Sequence, residues 1–435
     1  MSFIYFRKSI ISNPTIIPRS EHLVSRTAIS KPALKVLYQL KDAGYAAFLV
    51  GGCVRDLMLG REPKDFDVAT DASPEQVKDL FGRSCRLIGR RFRLAHVRFG
   101  REIIEVATFR AQHSGEDGGV IEDGMILRDN VFGTVVDDAW RRDFTINALY
   151  YNIQDFSVVD YVGGVDDLNR GLLHLIGDAE TRYREDPVRM LRGIRFAAKL
   201  GLRIHPDSEQ PIYELAMLLR DIPPSRLFEE VLKLFQGGCA VQTFELLRKY
   251  GLFGAMFPFT EQCLSVEQND YPAMLLINAL ENTDARIQSG KSVTPAFLFA
   301  ALLWEPLRQL KDALMAEGMT EIQAIQDAAN QVLAEQIQYV ALPKRFSLRA
   351  RDIWQLQPRL QRNSGKRALQ TLGNPGFRAA YDFLLLRNDA GEDLASLVSW
   401  WTKIQELDDA ERTKMCNPKK RTRRRRGGRQ TAVKE

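Results

Sequence analysis

The sequence predicts an α+β fold, in which a mixed α/β head is followed by a large all-α neck and body and by a disordered basic tail. Three observations lead to this prediction. Apolar runs typical of strands, such as AAFLV (46–50), alternate with helical segments as far as about residue 165. From Arg184 onward helical periodicity dominates and strand signals become scarce. Residues 419–429, KKRTRRRRGGR, contain eight basic residues and no acidic one, a composition that cannot form a core.

The elements of the head follow from local patterns. Ser73 and Pro74 suit the cap and first position of a helix, and Gly100-Arg101 suits the turn of a hairpin. We expect, in order, a helix over 33–43, a strand over 46–50 that ends at Gly51-Gly52, a helix over 53–60, a strand at DFDVA (65–69), a helix over 73–81, a hairpin of 94–99 with 102–109, and a mobile loop over 113–124.

These patterns divide the chain into five predicted segments. They are a loose, flexible leader (1–31), the mixed α/β head (32–165), a helical neck (166–240), a helical body (241–415) and the basic tail (416–435). The predicted roles of the head, neck and body depend on the motifs described below. No repeat with a fixed period indicates a solenoid.

Composition excludes several classes of protein. A chain of 435 residues with 45% hydrophobic and 27% charged residues is typical of a globular protein with two or more domains. No run of eighteen apolar residues predicts a membrane span, and no signal peptide is evident. The five cysteines are scattered without a zinc-type pattern, which indicates free, buried thiols in a reducing cytoplasm. The net charge of +6 comes from residues 419–429, since subtracting their eight basic residues leaves −2.

The segment KDFDVAT (64–70) carries two aspartates, Asp65 and Asp67, two positions apart on a predicted strand. Side chains at that spacing share one face of the sheet, so the carboxylates repel each other unless a cation lies between them. Acidic pairs are common, and alone this one is a solvated pair at a strand end. Glu105 on a neighbouring strand could supply a third carboxylate, although a solvent-facing strand residue explains it equally well.

The segment LVGGCVRD (49–56) supplies the second part of a nucleotide site. Gly51 and Gly52 allow a close approach of the backbone to a ligand, and a helix N-terminus favours phosphate. Arg55 is expected to face the phosphate; its alternative is a surface arginine paired with Asp56. Together the parts suit nucleotidyl transfer with two Mg²⁺ ions, or Mn²⁺ in their place, held by Asp65, Asp67 and Glu105. One ion would activate a 3′-hydroxyl and the other would steady the leaving pyrophosphate.

An ordered series of motifs over about residues 33–240 resembles the second class of the DNA polymerase beta-like nucleotidyltransferases. The motifs are LVGGCVRDLMLG (49–60), KDFDVAT, EVATFR (105–110), RRDFTINALYY (141–151) and EDPVRMLRGIRF (185–196). This class contains bacterial poly(A) polymerases and CCA-adding tRNA nucleotidyltransferases. The resemblance implies that Asp65, Asp67 and Glu105 are the metal ligands, that Gly51, Gly52 and Arg55 contact the triphosphate, and that Arg142 and Asp143 hold the ribose and phosphates.

The segment EDPVRMLR (185–192) is predicted to open a helix with Pro187 in its first turn and with Arg189 and Arg192 on one side. An ion pair between Glu185 and Arg189 is the simple explanation. The resemblance implies that Asp186 and Arg189 read the base of the incoming nucleotide. A carboxylate and a guanidinium complement adenine and cytosine alike, so this pair does not separate ATP from CTP.

Arginine-rich segments favour a poly(A) polymerase over a CCA-adding enzyme. LIGRRFRLAHVRFG (87–100) resembles the poly(A) polymerase subgroup, and it carries Arg90, Arg91 and Arg93, which could also be ordinary surface charge. The tail can bind polyanions by displacing counterions from phosphates. We therefore expect ATP and RNA 3′ ends as partners. The predicted RNA contacts of the tail are Lys419, Lys420, Arg421, Arg423, Arg424, Arg425 and Arg426.

Other functions fit less well. A CCA-adding enzyme is the principal alternative. A catalytically inactive RNA-binding protein would have no need of an intact carboxylate set, and an aminoglycoside-type transferase would have no use for the basic tail. An RNA-degradation machinery is a candidate partner, but no motif in the chain identifies it. Peripheral membrane association through the tail is a further candidate that no motif supports.

Overall fold

The computed structural model describes residues 13–89, 93–111, 121–122, 125–126, 132–265 and 271–417. Twelve strands lie within these ranges: β1 (Thr15–Ile17), β2 (Ala47–Val50), β3 (Asp67–Thr70), β4 (Cys85–Ile88), β5 (Leu94–Phe99), β6 (Glu102–Thr108), β7 (Ile121–Glu122), β8 (Met125–Ile126), β9 (Leu149–Asn152), β10 (Val158–Asp160), β11 (Leu172–Leu173) and β12 (Arg203–Ile204).

The same ranges contain twenty-one α-helices. Those up to residue 235 are α1 (Lys31–Asp42), α2 (Gly52–Met58), α3 (Pro74–Phe81), α4 (Val135–Trp140), α5 (Gly164–Arg170), α6 (Ala179–Glu185), α7 (Val188–Leu200), α8 (Pro206–Leu215) and α9 (Pro224–Phe235). The others are α10 (Ala240–Lys249), α11 (Leu252–Met256), α12 (Pro258–Leu264), α13 (Tyr271–Gln288), α14 (Pro295–Leu302), α15 (Trp304–Ala316), α16 (Glu321–Gln336), α17 (Lys344–Leu360), α18 (Gly365–Leu372), α19 (Phe377–Asp389), α20 (Ala395–Gln405) and α21 (Asp409–Cys416).

The chain forms two compact units, Met1–Leu219 and Arg220–Glu435. All the strands belong to the first unit, and the described part of the second unit is helical. This confirms the predicted α+β class, with a mixed-sheet head followed by a helical body. The finer boundaries at residues 165 and 240 stay predictions.

An eight-stranded mixed sheet organises the first unit. Its strand order is β1-β10-β9-β2-β3-β6-β5-β4. Every neighbouring pair is antiparallel except β3 and β6, which run parallel. The parallel pair is joined by the connection that contains α3, β4 and β5, so the chain leaves the sheet centre and returns to it.

One face of the sheet is covered by helices. Helix α1 packs against β2, β3 and β6, and α3 packs against β4, β5 and β6. Alternate strand residues such as Leu49, Val68 and Val106 are buried, as the period of two in a strand requires. Helix α3 begins as predicted, because the Ser73 side chain accepts the Gln76 N–H and Gln76 returns a bond to the cap.

The segment predicted as a loose leader differs from that prediction over the residues that the structure describes. Strand β1 pairs with β10, with Thr15 opposite Asp160 and Ile17 opposite Val158. Val24 and Ile29 are buried apolar side chains. Burial of these side chains and the strand pairing offset the entropy lost when the chain is ordered, which the broken apolar pattern of the sequence did not reveal.

The motif EDPVRMLR spans the junction of two helices instead of opening one. Glu185 is the last residue of α6, Asp186 is extended, and α7 begins after Pro187. The prediction that Glu185 lies at the start of the same helix as Arg189 is therefore wrong. Proline disfavours the helical conformation for the residue before it, which ends α6 at this point.

The second unit is a helical assembly with an aromatic core. Trp354 and Trp401 are fully buried and donate their indole N–H groups to the carbonyls of Ala300 and Leu360. Such bonds satisfy the polar end of a buried indole. Among the described residues, no helix combines the length and the hydrophobicity that a membrane span requires.

Candidate active site

The candidate site is built on a row of side chains that crosses the sheet. Pairing places Asp67 of β3 beside Glu105 of β6, and Glu105 beside His96 of β5. The row extends to Arg86 of β4 on one side and through Val50 of β2 to Tyr150 of β9 on the other. Because paired residues point to the same face, this row lies opposite the face covered by α1 and α3.

Asp65 does not lie on the strand. Strand β3 begins at Asp67, and Asp65 belongs to the irregular segment that leads into it. The expectation that the strand pleat sets both aspartates side by side is therefore wrong for Asp65. Its negative charge nevertheless acts on Asp67, as the pKa of Asp67 shows.

The carboxylate of Asp67 is held in an unfavourable charged state. Loss of hydration among the surrounding protein atoms and the negative charge of Glu105 raise the pKa of Asp67 to about 6, with a smaller contribution from Asp65. The positive charge of Arg142 opposes this rise. An oxygen-ligated divalent cation would relieve the repulsion, so the donor set at this position fits such an ion.

A buried charge network lies next to the carboxylates. Asp138, with a side chain only 1% exposed, accepts from Arg142 at 2.9 Å, from the Tyr150 hydroxyl at 2.8 Å and from Arg141 Nε at 2.8 Å. Burial opposes its ionisation, but Arg142, Arg141 and Tyr150 outweigh that effect and hold the pKa of Asp138 below its ordinary range. The network fixes the Arg142 guanidinium beside the site.

The Gly-Gly turn lies against this arginine. Gly51 adopts φ +79°, and a Cβ there would lie 3.4 Å from Arg142 Nη1. Arg55 is buried, and it donates Nε to Asp56 at 2.8 Å and Nη1 to Asn147 Oδ1 at 2.6 Å. The predicted pairing of Arg55 with Asp56 is therefore present, although Arg55 is not a surface residue.

Asp143 connects the RRDFT motif to helix α7. Its carboxylate accepts from Arg189 Nε at 3.0 Å and from Arg192 Nη1 at 2.5 Å. Burial opposes its ionisation, but the two arginines, Arg192 foremost, outweigh it and lower the pKa of Asp143. Arg189 also pairs with Glu185 at 2.9 Å, as the simple explanation of the sequence expected.

The remaining predicted residues are placed as follows. Asp186 accepts the Val188 N–H at 3.3 Å, and its carbonyl accepts the Arg189 N–H at 3.0 Å. Arg93 pairs with Glu75 at 2.6 Å on the surface. Arg90, Arg91 and the seven predicted contacts of the tail lie outside the described residues. All five cysteines are free, and every one except the half-buried Cys239 is buried, as expected.

Sequence reasoning missed several residues that shape the site. Asp138 and Tyr150 hold Arg142, Asn147 holds Arg55, and His96 lies 3.4 Å from Glu105. The segment DDAWRRD (137–143) could have indicated this network from the sequence. Its i,i+4 spacing brings Asp138 next to Arg142 on one side of a helix. His96 and Arg86 could be found only from the strand register.

A mixed sheet with paired carboxylates beside a glycine turn, a buried Arg55 and a half-buried Arg142 defines a nucleotidyltransferase. Three family models match: "Poly A polymerase head domain" over residues 47–174, "Probable RNA and SrmB- binding site of polymerase A" over 201–264, and "Polymerase A arginine-rich C-terminus" over 317–432. The Poly(A) polymerase I of Escherichia coli O6:H1 is 53% identical over 94% of this chain and 91% of its own length.

More distant relatives are CCA-adding enzymes. The enzyme of Geobacillus stearothermophilus is 37% identical over 51% of this chain and 53% of its own length. A solved structure of the Thermotoga maritima CCA-adding enzyme complexed with tRNA has a TM-score of 0.62, 20% identity, and coverage of 90% of this chain and 87% of that chain, which establishes the fold alone. The chain belongs to the poly(A) polymerase I family, and it is a polynucleotide adenylyltransferase, as the sequence predicted.

Substitution of Asp138 by asparagine tests the buried network. Removing its charge leaves the half-buried Arg142 without its counterion, so Asp138→Asn is expected to lower the free energy of unfolding by about 3 kcal/mol. A depressed pKa means that the stabilisation is complete above the ordinary carboxyl pKa of about 4 and is lost as the pH falls below it. Urea unfolding at several pH values measures this. Asp79→Asn, at an exposed position of α3, is the control, and equal stability of the two variants would contradict the network.

Substitution of Asp67 tests the repulsion between the carboxylates. The folded protein binds this proton more tightly than the unfolded chain does, so ionisation of Asp67 reduces stability as the pH rises through about 6. Because solvent screens the charges around the exposed Asp67, the expected effect on the free energy of unfolding is about 1 kcal/mol.

Without divalent cations, Asp67→Asn is therefore expected to unfold at a higher temperature than the wild type at about pH 8, with the difference shrinking as the pH falls and vanishing below about pH 4, the ordinary pKa of a carboxyl group. Thermal unfolding in a chelator measures the gain, with Asp79→Asn on the opposite side of the sheet as the control. A loss of stability at pH 8 would refute the repulsion.

Proposed function

We propose that the site transfers AMP from ATP to the 3′ end of RNA without a template and repeats this to make poly(A) tails. The 3′-oxygen of the RNA forms a bond to the α-phosphorus, the bond between the α- and β-phosphates breaks, and pyrophosphate leaves. The hydroxyl proton passes to solvent. The observation that supports this reaction best is the strand register that sets Asp67 beside Glu105 next to Arg142.

Asp65, Asp67 and Glu105 are the proposed ligands of Mg²⁺, with Mn²⁺ as a substitute. Bound there, the ion would supply positive charge that favours ionisation of the 3′-hydroxyl and offsets charge on the pyrophosphate. The donor set contains only carboxylates, which suits a hard cation. Arg142 adds a fixed positive charge whose position depends on Asp138 and Tyr150.

The incoming nucleotide is proposed to lie between the glycine turn and helix α7. Gly51 and Gly52 admit the triphosphate, and Arg55 and Arg142 are the cations near that turn. Asp186, Arg189 and Arg192 are the proposed contacts of the base side. Asp143 holds both arginines, so its role in nucleotide binding is to orient them.

The RNA is proposed to approach from the β4 side of the row. Beyond Glu105, the same sheet face carries Arg86 and Arg98, with the exposed apolar side chains of Ile88 and Ile103 among them. These residues line a shallow groove of about 520 Å³. Basic and apolar groups together suit a single strand, whose phosphates and bases both need partners. The RNA contacts expected of Arg90, Arg91, Arg93 and the tail stay predictions from the sequence.

CCA addition is the weaker alternative. The CCA-adding relative named above matches about half of this chain, whereas the poly(A) polymerase relative matches 94% of it. A cytoplasmic location and contact with an RNA-degradation machinery stay predictions from the sequence.

A primer extension assay tests the reaction. Purified protein with Mg²⁺ and ATP is expected to add long A-tracts to generic RNA and to use CTP poorly. Asp67→Ala is expected to reduce the rate by about a thousandfold or more because the carboxylate set can no longer hold the ion. Asp79→Ala, which lies in α3 away from the row, should extend RNA at the wild-type rate.

Addition limited to two C residues and one A, on tRNA that lacks its 3′ end, would instead establish CCA addition. Failure to incorporate any nucleotide, with RNA binding retained, would support an inactive RNA-binding protein.

Substitutions in the basic groove test the RNA path. Arg86→Ala combined with Arg98→Ala is expected to raise KM for RNA about tenfold and to leave KM for ATP unchanged. The salt dependence of RNA binding should fall by about 0.7 in logarithmic slope for each lost phosphate contact. Arg170→Ala, an exposed arginine at the end of α5, is the matched control. An unchanged KM for RNA would show that the RNA does not bind in this groove.

A further inference from the structure

A second group of metal-ligating side chains lies outside the row. The short parallel pair of β11 and β12 sets Leu173 opposite Ile204, so the next residues, His174 and His205, leave the strands side by side. Their imidazole rings are stacked, with centroids 4.0 Å apart and planes 13° from parallel. One donor atom from each of His174, His205 and Asp207 lies within 4.8 Å of the others.

The surroundings of His174 are arranged as they are in many metal sites. Its Nδ1 lies 3.5 Å from the carboxylate of Asp167, which is buried and accepts the Thr145 hydroxyl at 2.7 Å. The Thr145 N–H also binds the His174 carbonyl at 3.0 Å. A histidine that donates one ring N–H to a fixed carboxylate presents its other nitrogen, Nε2, as a ligand.

His205 and Asp207 supply the other side. Nδ1 of His205 lies 3.7 Å from Asp207 Oδ2 and accepts the Asp207 N–H over 3.3 Å, a long bond that a cation can replace. The Asp207 side chain is 78% exposed and can turn toward the rings. Donors around a tetrahedral ion lie about 3.3 Å apart, so this turn and a tilt of the stacked rings would complete the geometry.

We propose that His174, His205 and Asp207 bind one transition-metal ion of the Zn²⁺ type, with Asp167 orienting His174. Imidazole nitrogen favours Zn²⁺, Co²⁺ or Ni²⁺ over Mg²⁺, so this site and the carboxylate row select different ions. The bound ion joins the end of β11 to the start of α8. It thereby ties together the two ends of the segment between His174 and His205, which contains α6 and α7.

Calorimetric titration of the full, metal-stripped protein with Zn²⁺ in excess Mg²⁺ tests the proposal. Mg²⁺ occupies the carboxylate row, so the expected result is one further equivalent of Zn²⁺ with a Kd of about 1 μM or below. Saturating Zn²⁺ should raise Tm by about 3 °C. Absence of saturable binding by the wild-type protein would overturn the proposal without recourse to any variant.

Variants assign the ligands. His174→Ala combined with His205→Ala is expected to weaken Zn²⁺ binding at least about a hundredfold, and Asp167→Asn about tenfold to a hundredfold. Asp207→Asn should weaken binding, whereas Glu209→Gln, on the same helix α8, should not. Visible absorption of the Co²⁺-loaded protein checks for nitrogen ligands. The spectrum should already change when His205→Ala is introduced as a single substitution. Zn²⁺ binding that is equally tight in the double variant would refute the site.

Discussion

The register between β3 and β6 is the constraint on which the candidate active site depends. A parallel pairing sets Asp67 beside Glu105, and a shift of one residue would turn either carboxylate into the apolar layer beneath α1. The register is therefore specified by the burial of the apolar side chains on that face, which a shifted register would lose. The repulsion between the carboxylates is small by comparison, so the fold can hold them together before any cation arrives. The stable sheet thus keeps two carboxylates close together despite their repulsion, and a bound cation would relieve that repulsion.

A second layer of order fixes the cations around these carboxylates. Arg142 and Arg55 would both be mobile on an exposed surface, but Asp138, Tyr150 and Asn147 hold their guanidinium groups in one place. Groups positioned in advance lose little freedom when a substrate binds, which favours the transition state over the ground state. The same principle applies to helix α7, where Asp143 supports both arginines.

Much of the fold could be predicted from the sequence, because local signals and long-range packing agree there. Helix α3 has a serine cap, a proline at its first position and a strong apolar period, and all of them survive in the structure. Prediction failed where one short element depends on distant partners. Strand β1 pairs with β10, a partner about 140 residues away in the sequence. At Pro187 the local rule was misapplied, because a proline after an extended Asp186 separates α6 from α7 instead of lying inside one helix. The sequence predicted which residues form the site. Their arrangement in one row across the sheet could be seen only once the strand register was known.

The order of charge along the row gives the site a direction. Arg142 and the glycine turn lie at one end, the carboxylates lie in the middle, and His96 and Arg86 lie at the other end. In the proposed reaction, two polyanionic substrates would meet at the carboxylates, although the substrates repel each other and are repelled by the carboxylates. Separate basic groups on opposite sides would then let each substrate bind its own cations, and the carboxylates in the middle would face only the reacting ends. A symmetric patch of positive charge would bind both substrates as tightly but would not distinguish the end that donates from the end that accepts.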